Sequence, residues 1–227
     1  MIGIIALPKL NGKGSVNAKN YVRWVESSGS KAVVLPYDLP KKDLIKCLKQ
    51  LKGIVWTGGA IEGPNYTRKQ YTTYIKSIIT CFETAKEYND SGRYYPIFAI
   101  CLGFEILVLF SQKVKVEHLF DSMKHHFRES RDTITLEDSR LKDWFLPLEK
   151  KMASQPCAVH HHKFGFDIQK LEGITIASTD TDFINMIEYK KYPFYGVQFH
   201  PERPFDTFSN KVSVHFSDFL KHECEKN

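Results

Sequence analysis

Tyr95-Pro96-Ile97-Phe98-Ala99-Ile100-Cys101-Leu102-Gly103-Phe104-Glu105 is the stretch whose reading decides the fold. Its first part is a short continuous apolar run, the pattern of a strand buried on both faces. From Phe104 to Phe110 the pattern becomes helical. Cys101 falls between the two. A nucleophile placed on so tight a strand-to-helix turn is pushed out of the sheet. The turn needs small residues on either side, and Ala99 and Gly103 supply them. The amino end of the next helix carries partial positive charge, which predicts that thiolate is favoured over thiol. A buried structural cysteine would satisfy the same segment.

Upstream, strands and helices alternate. Ile2 to Leu7 and Lys31 to Pro36 read as strands, with a helix over residues 16–28 between them. Residues 41–52 carry Leu44, Ile45, Leu48 and Leu51 among lysines, an amphipathic helix that stops at Gly53. Gly53 to Thr57 reads as a third strand and runs into Gly58-Gly59; a long helix is predicted from Thr67 to Tyr88. This order predicts an α/β three-layer sandwich: a mostly parallel central sheet with helices on both faces, flavodoxin-like in plan. In such sheets ligands bind beyond the carboxyl ends of the strands, where Cys101 stands. Thr175 to Ser178, Phe183 to Tyr189 and Phe194 to Phe199 are further strands, and residues 211–223 a closing helix. Residues 111–170 mix short apolar pieces, charges and histidines without a readable period. With no repeat or linker, residues 1–227 are expected to form a single domain.

The second chemical signal is Tyr195-Gly196-Val197-Gln198-Phe199-His200-Pro201-Glu202, an apolar strand with a polar tip. Pro201 excludes a helix interior. In an extended segment, positions i and i+2 share a face, so Glu202 is predicted to hold one nitrogen of His200 while the other faces a nucleophile.

Composition excludes several classes. The 26% of charged residues argues against disorder, and the net charge of +6 comes without the interleaved basic and aromatic runs of nucleic-acid binding. No stretch of 18 apolar residues exists, so no membrane span is expected. Five cysteines without a C-x-x-C pair read as free thiols in a reducing compartment. The apolar start is too short for a signal-peptide core and lacks a basic leader, so a cytoplasmic location is expected. His160-His161-His162 alternates faces in a strand, which suits a single metal poorly.

The two motifs carry a family resemblance. Cys101-Leu102-Gly103-Phe104-Glu105 and Tyr195 to Glu202 closely resemble γ-glutamyl hydrolases, peptidase family C26 of the class I glutamine amidotransferase-like group. Tyr21 to Gly29, Gly53 to Gly59, His162-Lys163-Phe164 and residues 188–193 extend the resemblance. It departs at Ala99, where the family usually has glycine, and over residues 113–160, which are shorter and poorly matched. The resemblance implies hydrolysis of γ-glutamyl amide bonds, as in folate poly-γ-glutamates. No cofactor and no metal are implied, the substrate is a small molecule, and a homodimer is carried over. Cys101 is the expected nucleophile, His200 the base and Glu202 its orienter. The Leu102 N–H is the expected first oxyanion donor, and an N–H at Gly59 or Ala60, after Gly58, the second. His162 is expected near the substrate, Lys163 and Arg203 along a polyanionic tail, and Glu105 bracing the elbow. A glutaminase subunit, a γ-glutamyl peptide or polyamine hydrolase, and a non-catalytic relic of the fold remain open alternatives.

Overall fold

The computed structural model describes residues 1–9, 14–15, 18–60, 67–114, 124–168, 171–180 and 183–226. The apolar runs become β1 (Ile2–Ile5), β2 (Ala32–Leu35), β3 (Ile54–Trp56) and β4 (Ile97–Ile100). Between them lie α1 (Lys19–Glu26), α2 (Lys41–Lys49) and α3 (Arg68–Asp90). Thr67 starts α3 with a reciprocal cap, its hydroxyl accepting from the Gln70 N–H at 3.1 Å while Gln70 Oε1 accepts from the Thr67 N–H at 2.9 Å. After β4, α4 (Leu102–Ser111) is apolar almost all round and correspondingly buried from Leu102 to Leu109.

The second half supplies β5 (Lys124–Asp132), α5 (Arg140–Phe145), α6 (Glu149–Met152) and β6 (Ala158–Gly165). Then come β7 (Ile174–Thr179), β8 (Ile184–Tyr189), β9 (Phe194–Val197) and α7 (Thr207–Glu225). The main sheet runs β2-β1-β3-β4-β9-β8-β7. Its pairs from β2 to β9 are parallel, and β8 and β7 close it antiparallel. β5 and β6 form a separate antiparallel pair.

Strand alternation divides the core into two layers. Ile54, Trp56, Ile97 and Ala99 pack with Leu44 and Leu48 of α2 and Tyr74, Ile75 and Ile78 of α3. Val55, Phe98, Ile100 and Val197 face the other way, onto Trp24 and Val25 of α1, Phe145 of α5 and Phe216 of α7. Trp24 joins α1 to α7 by donating its indole N–H to the Ser213 carbonyl at 3.0 Å. The seating of α4 depends on Gly103, where a Cβ would stand 2.7 Å from the Trp56 carbonyl oxygen. Any side chain there would lever the helix, and the turn before it, away from β3.

Candidate active site

Cys101 occupies the turn between β4 and α4 with φ 51° and ψ −109°, a conformation sparsely populated by non-glycine residues. Such a residue costs about 1–3 kcal/mol and persists only where its surroundings over-determine it. Here the Cys101 N–H donates to Val197 O of β9 at 2.8 Å, and Cys101 O accepts from the Glu105 N–H at 2.9 Å. The side chain is thereby held at the carboxyl end of the central strands.

His200 and Glu202 meet beside it. Glu202 Oε1 lies 2.7 Å from His200 Nδ1, and both residues are buried. A carboxylate oxygen only accepts, so Nδ1 carries the hydrogen and Nε2 keeps its lone pair. Among the described residues, His200 Nε2 is a buried nitrogen without a hydrogen-bond partner. The pairing arises differently from the extended segment expected. β9 ends at Val197, and residues 200–203 form a turn closed by Arg203 N–H to His200 O at 3.1 Å. Pro201, with its fixed φ, bends the chain so that the carboxylate folds back onto the imidazole.

The glycine pair has two distinct roles. Gly58 is a spacer: a Cβ there would lie 2.8 Å from both Cys101 Cβ and His200 Cε1. Its N–H is taken by the Tyr21 hydroxyl at 2.9 Å, so it offers no donor to a substrate. The Gly59 N–H, at a residue with φ 140°, and the Leu102 N–H instead lie by the Cys101 thiol and favour its charged form. Ala60 lines the pocket wall.

The expectation of a resting thiolate is overturned. Burial pushes the Cys101 thiol well up, and the Glu105 and Glu202 carboxylates push it further; the two amides oppose this but do not win. Burial thus favours the neutral thiol at rest, with its sulfur 3.9 Å from the His161 carbonyl oxygen. Burial, helped by the charge of Glu202, likewise keeps the neighbouring Tyr21 phenol protonated.

A pocket of about 350 Å³ opens over the thiol, lined by Gly59, Ala60, Cys101, Glu105, His200 and Arg203 on the sheet side. Phe127, His161, His162, Lys163 and Phe164 of the antiparallel β5–β6 pair form the facing wall. The pair grips the site by its backbone, because Val159 O accepts the His200 N–H at 2.8 Å. Glu105 is buried, lines the pocket and accepts from Gln198 Nε2 at 3.0 Å. Lys163 and Arg203 reach the pocket as expected, while Arg203 Nε also stands 3.5 Å from Glu202 Oε1. Tyr21, Gln198 and Phe127 were not singled out by sequence reasoning. Tyr21 sits on the apolar stripe of α1 and Gln198 inside a strand motif, and only the tertiary structure shows what they touch.

A thiol on a strained turn, with an oriented base and backbone amides beside it, is equipped for nucleophilic acyl transfer. The class so defined is that of cysteine hydrolases on the class I glutamine amidotransferase-like fold. The structure of PurLQS from Thermotoga maritima shares the fold, with a TM-score of 0.61 at 16% identity over 97% of each chain. Within this class, the Peptidase C26 family model matches residues 5–202, and the chain belongs to that family. It is 27% identical to Gamma-glutamyl hydrolase B of Dictyostelium discoideum over 95% of this chain and 66% of that protein. Against human Gamma-glutamyl hydrolase the identity is 26%, over 92% of this chain and 71% of that protein. The chain thus spans about two thirds of the length of these curated relatives.

Proposed function

We propose that this chain hydrolyses γ-glutamyl amide bonds of small molecules, folate poly-γ-glutamates being the substrate we would test first. The observation that carries the reading is the buried His200–Glu202 pair with His200 Nε2 left open, set against Cys101 across Gly58, where a Cβ would lie 2.8 Å from both Cys101 Cβ and His200 Cε1. The names of the curated relatives support the choice of bond.

In this reading a bound substrate brings its γ-carbonyl carbon to Cys101. His200 Nε2 takes the thiol proton as sulfur attacks, so the high resting pKa is no obstacle: the thiolate forms only as it is consumed. The oxyanion forms on the substrate carbonyl oxygen, which the Gly59 and Leu102 N–H groups beside the sulfur are in place to receive, each donor worth about 2.7–4 kcal/mol of barrier. The protonated imidazole, held by Glu202, passes its proton to the leaving amine. Water, deprotonated by His200, then cleaves the thioester and releases the γ-carboxylic acid. Lys163 and Arg203 are placed to meet carboxylates of a glutamyl tail.

The test is incubation with a folate pentaglutamate and with glutamine, wild type beside Cys101→Ala, followed by mass spectrometry. Shortened chains that vanish in the variant support the reading. Ammonia from glutamine alone would replace it with a glutaminase. No product from either substrate with folded protein would sink the substrate assignment.

A further inference from the structure

His162 lines the catalytic pocket, yet neither of its nitrogens is offered to a substrate. Nδ1 stands 2.8 Å from the Phe164 carbonyl oxygen. A carbonyl only accepts, so Nδ1 carries the hydrogen. Nε2 stands 3.1 Å from Nδ1 of His160, a residue 1% exposed beneath the pocket wall. With both rings neutral, the direction is fixed: His160 Nδ1–H donates to His162 Nε2, and His162 Nδ1–H donates to Phe164.

The surroundings keep the rings neutral. Burial pulls His160 down to about 2, with Arg128, His162, His200 and His126 adding to it. Burial pulls His162 down to about 4 against the Phe164 bond, with His126, Arg128 and His200 adding to it. The Asp132 carboxylate is 4.0 Å from His160 Nε2 and is occupied by Arg128 Nε at 3.2 Å. Arg128 is also paired with Asp180. Beyond the pair, the His160 ring packs at 5.8 Å on Phe199, the residue before His200.

We propose that His160 is a positioning residue: it occupies Nε2 of His162, so that His162 meets the substrate as an uncharged wall and the base role at the thiol is left to His200. The inference rests on the proposed hydrolysis for its catalytic meaning but not for its structural content. Without the His160 donor, His162 would present a free basic nitrogen in a pocket meant for an anionic substrate. It could then charge and bind glutamyl carboxylates unproductively. Recognition of those carboxylates is left to Lys163 and Arg203.

The experiment is imidazole ¹H–¹⁵N correlation spectroscopy on the full chain, wild type beside His160→Phe and His160→Asn, from pH 5.5 to 8. Phenylalanine keeps the packing on Phe199 without a donor; asparagine keeps a donor. Wild-type His162 should show one protonated nitrogen, Nδ1, and one bare nitrogen throughout. In His160→Phe, His162 should titrate inside the window, and kcat/KM should gain an ionisation and fall about fivefold to tenfold at the acid end, the worth of one hydrogen bond. His160→Asn should restore the wild-type profile. A wild-type His162 protonated on both nitrogens at pH 7 would overturn the proposal. So would a His160→Phe protein whose spectrum and pH profile match wild type. If His160→Phe does not fold, the wild-type and asparagine spectra still decide. Absence of γ-glutamyl hydrolysis with the expected spectra would sink the proposed function and leave the tautomer assignment standing.

Discussion

Replacing Gly58 by alanine perturbs the site at its narrowest point. The new methyl would sit 2.8 Å from Cys101 Cβ, 2.8 Å from His200 Cε1 and 3.1 Å from the Tyr21 hydroxyl. Relaxed carbon–carbon contacts lie at about 3.5–4.0 Å. Nucleophile and base must therefore retreat by about 0.7–1.2 Å, or the loop carrying Gly59 must lift by a similar amount. Either movement acts on reacting groups, and a displacement of about 1 Å costs on the order of 100-fold in rate. That is about 2.7 kcal/mol of barrier. Overpacking a filled site costs about 1–3 kcal/mol of stability, and each kcal/mol lowers Tm by about 2–4 °C in a chain of this size. The assay is kcat/KM on a γ-glutamyl substrate, with calorimetry on the same preparation. The expected outcome is a folded protein, a few degrees less stable, whose kcat/KM is about 100-fold lower. A variant within threefold of wild type at an unchanged Tm would refute the claim that Gly58 spaces the two catalytic groups.

Glu202→Gln should leave the fold intact and lower kcat by about 10²–10⁴-fold, because an amide cannot stabilise the imidazolium; steady-state kinetics at pH 7 would show it, and a loss under threefold would remove Glu202 from the mechanism. Gly103→Ala forces a methyl against the Trp56 carbonyl and should cost about 1–3 kcal/mol, read as a lower urea midpoint. Because the buried thiol is neutral at rest, Cys101 should alkylate with iodoacetamide more slowly than free glutathione at pH 7, by peptide mass spectrometry; faster labelling would restore the thiolate. His160 and His162 are held neutral down to about 2 and about 4, while the unfolded chain takes up protons near 6.5. Stability should thus be flat above about pH 6.5 and fall as pH drops toward 4, by about 1.4 kcal/mol per pH unit for each ring. Urea titrations should show a shallower fall for His160→Phe than for wild type, and parallel curves would contradict this.

The elements that could be read from the sequence are those whose burial is simple. β1, β3 and β4 are covered on both faces, so they appear as unbroken apolar runs, and Cys101 is located by where β4 ends. The β5–β6 pair could not be read. Lys124-His125-His126-Phe127-Arg128-Glu129-Ser130-Arg131-Asp132 is half exposed and held by ion pairs and ring contacts, which leave no apolar alternation. Its wall of the pocket was foreseen only at His162-Lys163-Phe164. The His200–Glu202 pairing was legible as residue types at a spacing, but the turn that makes it was not. The thiolate expectation failed because a helix end is visible in sequence, while the burial and the two carboxylates that outweigh it belong to the tertiary structure. For the same reason Gly58 looked like part of a donor loop, although its N–H is satisfied by a hydroxyl 37 residues away.

Among the described residues the β5–β6 pair forms a sheet of its own, yet it touches the catalytic histidine through main-chain atoms. Main-chain contacts are indifferent to side-chain identity. The outward positions His161 and Lys163 can therefore be varied while the backbone keeps its hold on the reacting groups. The scaffold behaves as a fixed chemical engine carrying an exchangeable faceplate. Selection on this lineage, or a designer, could redirect what enters the pocket by rewriting one short ribbon, with the bond-breaking apparatus left untouched.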